Sequence, residues 1–158
     1  MKNLFVPYEE SWGLKELGFD EPCFGFWDGY NGGSHFFFKP RSKYHWLVRL
    51  FKEVPDITTY NQDYLEYTEG CNAVLAPIYQ QAFKFLRDKY KLSCSIELTD
   101  NSRHYYFDFI IYDSKDRDWN DEDCFDSCKR LYSDGTYSTY EEAELECLKK
   151  LIGIVKTK

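Results

Sequence analysis

The sequence predicts an α+β fold in which an antiparallel sheet carries helices on one face. Residues 76–92 and 139–156 place apolar side chains at the spacing of a helix, and residues 105–112 between them alternate like a strand. From residue 76 onward the predicted order is helix, strand, strand, strand, helix. One antiparallel sheet with two helices on one face is the simplest way to bury such a set.

The length and composition fit one domain over residues 1–158. Hydrophobic residues make up 43% of the 158 residues and aromatic residues 20%, so a core can form without disulfides or a metal. We expect residues 1–70 to contribute a helix, an aromatic hairpin and a variable insert. Residues 71–158 are expected to contribute the half with helix, three strands and helix.

In the N-terminal half, residues 7–10 are expected to begin a short helix that ends at Gly18. Residues 23–27 and 35–38 are predicted strands, and the glycine-rich segment between them predicts a hairpin. The following segment, residues 39–69, is ambiguous. Within it, residues 44–52 fit either a helix or a strand, and residues 58–70 are expected to form a loop.

In the C-terminal half, strands are predicted at residues 93–98 and 105–112, with a third at residues 129–132. In the second strand one face is expected to point toward the core: Tyr105, Phe107, Phe109 and Ile111. Thr139 and Glu142 have the spacing of a capping box, which predicts the start of the last helix. The apolar stripe of that helix is Ala143, Cys147, Leu148, Leu151, Ile152 and Val155.

Charge and cysteine usage limit the classes of function. The net charge of −7 disfavours general binding of nucleic acid. The first residues lack the apolar run of a signal peptide, and no segment approaches the length of a membrane-spanning helix. We therefore expect a cytoplasmic protein with reduced thiols, in which Cys94 and Cys147 are small core residues.

The sequence does not predict a cofactor or a metal site. The acidic segment at residues 116–122 begins like a calcium-binding loop, but Asp121 and Ser127 occupy positions that need glycine and glutamate. Cys124 and Cys128 are four residues apart, and no further ligand follows at a usual zinc spacing. None of the three histidines, His35, His45 and His104, lies in a recognisable hydrolase or protease motif.

Aromatic residues beside arginines are the strongest positive feature. Rings that stack on bases and arginines that pair with phosphates are typical of a nucleotide pocket, and equally of a protein interface. Core packing accounts for many of the rings, since alternate members of each strand must be buried. The candidate ligand-binding residues are Trp27, Tyr30, Arg41, Tyr44, Trp46, Arg49, Arg103 and His104.

Three segments together resemble a family of small uncharacterised proteins common in phages and mobile elements of Bacteroides-type bacteria. The segments are LKELGFDEPCFGF (residues 14–26), LAPIYQQAFKFLRDKYKL (residues 75–92) and TYEEAELECLKKLIGIVK (residues 139–156). The family carries no established activity and no catalytic motif. The resemblance implies a phage or mobile-element product that acts in the cytoplasm of a bacterial host.

These observations favour a non-enzymatic binding protein that acts on a host protein, for example as an inhibitor of host defence. An acidic surface can imitate nucleic acid or dock a basic partner. The alternative is a sponge for a small nucleotide, such as a cyclic signalling nucleotide, with the cavity formed between protomers of a homo-oligomer. A third hypothesis is a small hydrolase that uses His104 with Asp or Cys residues.

Overall fold

In a computed structural model the chain is an α+β protein that divides into two units, Met1–Ile78 and Tyr79–Lys158. The structure describes residues 4–29, 35–38, 73–100, 105–113, 129–133 and 135–158. Within these ranges each unit contains one antiparallel three-stranded sheet. The first unit extends to residue 78, whereas the division expected from the sequence placed residues 71–78 in the C-terminal half.

Helix α1 covers Tyr8–Glu16 and ends at a glycine, as the sequence predicts. Gly18 has a φ of 84°, a left-handed conformation that glycine adopts without steric cost. Its N–H donates to the carbonyl of Lys15, and the N–H of Phe19 donates to the carbonyl of Leu14. This pair of bonds is a Schellman motif, which satisfies carbonyls that the helix end would otherwise leave unpaired.

The sheet of the first unit has the strand order β2-β1-β3. Strands β1 (Gly25–Asp28) and β2 (His35–Phe38) pair in the predicted antiparallel hairpin. The sequence did not predict β3 (Ala73–Leu75), which pairs with the other edge of β1. All three residues of β3 are buried, so the strand shows no alternation that a sequence pattern could detect.

The core of the first unit is organised around the backbone of Val6. Its carbonyl accepts the indole N–H of Trp27 at 2.8 Å and the hydroxyl of Ser11 at 3.1 Å. The N–H of Val6 donates to the carbonyl of Pro77 at 2.8 Å. These bonds join the N-terminal segment to α1, β1 and the chain after β3. The apolar cluster around them contains Phe5, Trp27, Val74 and Ala76.

The second unit has the predicted order of helix, three strands and helix. The elements are α2 (Tyr79–Tyr90), β4 (Leu92–Asp100), β5 (Tyr105–Asp113), β6 (Lys129–Tyr132) and α3 (Tyr140–Lys156). The strands form an antiparallel sheet in the order β4-β5-β6. Helix α2 packs on β4, α3 packs on β4 and β5, and the two helices contact each other. The predicted layering, with both helices on one face of the sheet, is confirmed.

Burial confirms the predicted core face of β5 at one end of the strand only. Phe109 and Ile111 are 1% and 0% exposed, as expected for residues beneath α3. Tyr105 lies on the same face and is 72% exposed. The expectation that Tyr105 belongs to the core was therefore wrong, because α3 begins at Tyr140 and the sheet continues past it.

Helix α3 begins with the predicted cap at Thr139. The Thr139 hydroxyl accepts the N–H of Glu142 at 3.2 Å, and the Glu142 carboxylate accepts the N–H of Ser138 at 3.1 Å. In a standard capping box the Glu142 carboxylate would accept the N–H of Thr139 itself. Here it accepts the N–H of the preceding residue. The predicted stripe of α3 is buried from Ala143 to Ile152, and Val155 is half-buried.

Several predictions fall on residues that the structure does not describe. They are the ambiguous segment at residues 39–69, the acidic segment with its calcium-like pattern at residues 116–122, and the cysteines Cys124 and Cys128. The turn between β1 and β2 lies outside the described residues from Tyr30 to residue 34.

Candidate binding surface

Of the predicted ligand-binding residues, the structure describes Trp27 alone. The Trp27 side chain is 7% exposed, its ring packs against Phe36 with centroids 5.0 Å apart, and its N–H is bonded to Val6. In this structure Trp27 therefore serves as a core residue of the first unit. The remaining candidates lie outside the described residues: Tyr30, Arg41, Tyr44, Trp46, Arg49, Arg103 and His104.

A different surface is found at the end of the β4–β5 hairpin. Leu98 of β4 pairs directly with Phe107 of β5, and Tyr105 is the next residue of β5 on the same face. Leu98 is 59% exposed and Tyr105 is 72% exposed. Both continue the face that is covered by helices at Phe109 and Ile111, so the core face of the sheet extends past its cover.

The first residue of α3 completes this surface. The rings of Phe107 and Tyr140 meet edge to face with centroids 6.0 Å apart, and Tyr140 is 45% exposed. We call the set Leu98, Tyr105, Phe107 and Tyr140 the hairpin-end patch. It holds three of the five exposed large apolar side chains among the described residues, and the other two, Leu4 and Phe24, belong to the first unit.

The backbone between β6 and α3 places Tyr140 beside Phe107. After β6 the N–H of Ser133 still donates to the carbonyl of Phe109 at 3.0 Å. The chain then leaves the sheet and returns at Tyr137, whose N–H and carbonyl bond to Phe107 at 3.0 and 2.8 Å. The Ser133 hydroxyl stabilises this segment, because it forms hydrogen bonds to the Asp108 carboxylate and to the carbonyl of Gly135.

A second aromatic pair holds the segment before α3 against the buried part of β5. The Tyr137 ring stacks on the buried Phe109 ring with centroids 5.8 Å apart and planes at 19°. Tyr137 and Tyr140 therefore contact successive core-face residues of β5. This arrangement makes the hairpin-end patch a preformed surface on regular elements rather than a set of loop side chains.

Among the described residues, three acidic ones lie next to the patch. Asp100 pairs with Tyr105 across the hairpin, and Glu141 and Glu144 lie on the first turns of α3. Burial, followed by the negative charge of Glu141, raises the pKa of Glu144 above its usual value. Burial and the charge of Glu144 likewise raise the pKa of Tyr140. In both groups burial is the larger cause, and a neighbouring carboxylate adds to it.

An apolar platform bordered by carboxylates suits recognition of a cationic partner with an apolar anchor. Among the described residues, no group of three or more His, Cys, Asp or Glu side chains is placed to hold a metal ion. None of the helices α1, α2 and α3 has the length and apolar character that crossing a bilayer requires.

Leu98 and Tyr140 are not among the residues that the sequence predicts for a site. Leu98 alternates with polar neighbours as a core residue would, and Tyr140 occupies the first turn of a well-predicted helix. One feature of the sequence could have indicated this surface. The apolar alternation of β4 and β5 continues close to the hairpin turn, and a helix capped at Thr139 does not have to cover the strands that far.

Comparisons of this chain with family models, with curated proteins and with solved structures found no match.

Proposed function

We propose that this chain is a non-enzymatic binding protein that docks a protein partner on the hairpin-end patch. The observation that carries the proposal is the exposure of Leu98, Tyr105 and Tyr140 around Phe107, on a sheet face that is buried elsewhere. Exposed rings on rigid elements lose little conformational entropy on binding, and such residues often dominate interface energies.

The charges around the patch define the chemistry of the partner. Asp100 pairs with Tyr105, Glu141 and Glu144 lie on the same helix as Tyr140, and the chain as a whole has a net charge of −7. A lysine or arginine of a partner would stabilise the Glu144 carboxylate, whose pKa is raised by burial and then by the charge of Glu141. The partner is therefore a protein with an apolar side chain set among basic residues, and salt should weaken its association.

The resemblance to small phage and mobile-element proteins gives this proposal its biological setting. A product of that kind acts in the cytoplasm of its bacterial host, so the partner would be a host protein. Proteins that bind nucleic acid present basic surfaces, and an acidic inhibitor can compete for such a surface. Inhibition of a host-defence protein is the form of this function that we propose.

A site-specific cross-linking experiment tests the proposal. A photoreactive phenylalanine analogue is introduced in place of Tyr105, and in a matched variant in place of Phe24, which is 46% exposed in the first unit. Both proteins are expressed in the bacterial host and irradiated. The proposal requires one defined protein adduct at position 105, lost in high salt and absent at position 24. Equal labelling at both positions, or labelling that salt does not affect, would contradict it.

The nucleotide-sponge alternative depends on residues outside the described part of the structure, apart from Trp27, whose ring and N–H are occupied in the core. Incubation with a panel of linear and cyclic nucleotides distinguishes the two functions. A sponge would deplete one nucleotide and return it intact after heat denaturation, whereas an enzyme would return a new species. The protein-docking proposal expects every nucleotide to remain in solution unchanged.

A further inference from the structure

Strand β4 forms one edge of the sheet in the second unit. It pairs with β5 without interruption, from Leu92 opposite Asp113 to Asp100 opposite Tyr105. Among the described residues no strand pairs with the other side of β4, since the sheet has the order β4-β5-β6. A long and regular edge strand is a template on which a further strand can pair.

Hydrogen bonds on the far side of β5 show how the backbone of β4 is oriented. The N–H of Phe107 donates to the carbonyl of Tyr137 at 2.8 Å, and the carbonyl of Phe107 accepts the N–H of Tyr137 at 3.0 Å. Both backbone groups of Phe107 therefore point away from β4. In an antiparallel pair the opposite residue then directs its own N–H and carbonyl the other way, and that residue is Leu98. The backbone groups of Leu98 thus lie on the outer edge of the sheet.

The same orientation holds two residues earlier in β4. The carbonyl of Phe109 accepts the N–H of Ser133 at 3.0 Å, so the backbone of Phe109 also points away from β4. Ile96 lies opposite Phe109, and its N–H and carbonyl are therefore directed to the outer edge. Together Ile96 and Leu98 present two donors and two acceptors at the spacing that a further antiparallel strand requires.

This edge is continuous with the hairpin-end patch. Leu98 belongs to the patch, and its side chain is 59% exposed. Residues that lie directly opposite each other in antiparallel strands project their side chains to the same face. A partner residue opposite Leu98 would therefore widen the patch by one strand, and its backbone would bond to β4 at the same time.

The charges of β4 indicate which kind of strand can pair there. The strand has no lysine, proline or bulge, which are common protections of an edge, and instead carries Glu97 and Asp100, both exposed. Two copies of the chain joined at this edge would bring these carboxylates together, and each copy has a net charge of −7. A basic strand would meet opposite charges instead.

Building on the proposed docking function, we propose that the protein partner adds an extended basic segment to the edge of β4 as an antiparallel strand. The segment has an apolar residue opposite Leu98. Its next residue lies opposite Glu97 and is a lysine or arginine. The residue two positions before the apolar one lies opposite Asp100 and is basic as well.

Hydrogen exchange of the free protein, followed by NMR, tests whether the edge is open. The amides of Ile96 and Leu98 should exchange about tenfold faster or more than those of Ser95 and Glu97, which point toward β5. Slow exchange at Ile96 and Leu98 in dilute protein would mean that the chain covers its own edge. Slow exchange at high concentration alone would mean that a second copy covers it. Either result overturns the proposal, whatever cross-linking at position 105 shows.

A short synthetic peptide tests the mode of binding by calorimetry. It consists of β-branched residues with Lys-Thr-Leu-Arg at its centre, so that the leucine can pair with Leu98. An N-methyl group on that leucine removes the donor directed at β4 and should weaken binding about tenfold or more. The same group on the arginine, whose N–H points away from β4, should leave the affinity unchanged.

Equal effects of the two methyl groups, or no binding of the parent peptide, would overturn strand addition. If a host protein still cross-links at position 105, the partner docks through side chains alone, and the docking function survives without the strand. The loss of that cross-link with an open edge and a bound peptide would instead reject the docking function. The two failures are therefore distinguishable.

Charge-reversed variants test the preference for a basic segment. Glu97→Lys should weaken binding of the peptide about fivefold, because residue 97 lies directly opposite the arginine. Asp20→Lys makes the same change at an exposed position of the first unit and should bind like wild type. Equal affinities of the two variants would contradict the assigned pairing.

Discussion

The rings of Phe107 and Tyr140 meet edge to face, with centroids 6.0 Å apart and planes at 89°. This contact joins the third residue of β5 to the first residue of α3 and marks the point at which helical cover of the sheet ends. Residues on the α3 side of it, such as Phe109, are buried, and Tyr105 on the other side is 72% exposed. The proposed binding surface exists because the helix begins here and the strands do not end here.

A double-mutant cycle measures the strength of this contact. We expect Phe107→Leu, Tyr140→Leu and the double variant to show a coupling free energy of about 0.5–1 kcal/mol in urea denaturation, because edge-to-face rings attract beyond their buried area. Additive single effects would show that the pair does not position the start of α3.

Glu144 gives a pH dependence of stability with a defined sign. Its pKa is raised by burial and by Glu141, so the folded protein binds a proton more readily than the unfolded chain does. Stability then falls as the pH rises past the usual glutamate value of 4.5. We expect Glu144→Gln to raise the thermal midpoint at pH 7, and the gain to shrink as the pH approaches 4.5. A gain that is independent of pH would refute the assignment.

Two glycines should respond in opposite directions to the same change. Gly18→Ala should lower the free energy of unfolding by about 1–2 kcal/mol, because Gly18 has a φ of 84°. Gly153 lies inside α3, and a Cβ built there meets nothing within 4 Å. Gly153→Ala should therefore raise the free energy of unfolding by about 0.5–1 kcal/mol. Urea denaturation of both variants checks this pair, and a shared sign would contradict it.

Lys91 is a non-glycine residue with a left-handed backbone. Its φ is 60°, directly after α2, and its N–H donates to the carbonyl of Arg87 at 3.1 Å. Both Lys91→Gly and Lys91→Ala remove the long side chain and its bond to the carbonyl of Asp88. The glycine variant should be more stable than the alanine variant by about 1 kcal/mol in chemical denaturation, because only alanine retains the strain. Equal stabilities would show that this position carries no such strain.

Local signals in the sequence predicted most of the described elements. Each of these signals involves only residues that are close together in the sequence. The structure contains the Schellman glycine, the cap at Thr139 and the apolar stripe of α3. Strand β3 was missed because it has three apolar residues and acquires its identity by pairing with β1, about fifty residues earlier. Pairing at that separation leaves no local period.

Sequence patterns could not predict the candidate surface, for a related reason. Tyr105 alternates as a core residue does, and its exposure depends on where α3 crosses the sheet, which the backbone at Tyr137 determines. Trp27 has the residue type of a binding residue, but its indole N–H donates a hydrogen bond to the carbonyl of Val6, 21 residues away. In both cases the deciding contact is tertiary.

The most direct test of the docking proposal compares two matched double variants by calorimetry against the protein that cross-links at position 105. Leu98→Ser with Tyr105→Ser removes the exposed apolar side chains of the patch, and Leu4→Ser with Phe24→Ser removes comparably exposed ones from the first unit. We expect the patch variant to bind about tenfold more weakly or worse, and the control variant to bind like wild type. Equal affinities for the two variants would contradict the proposal.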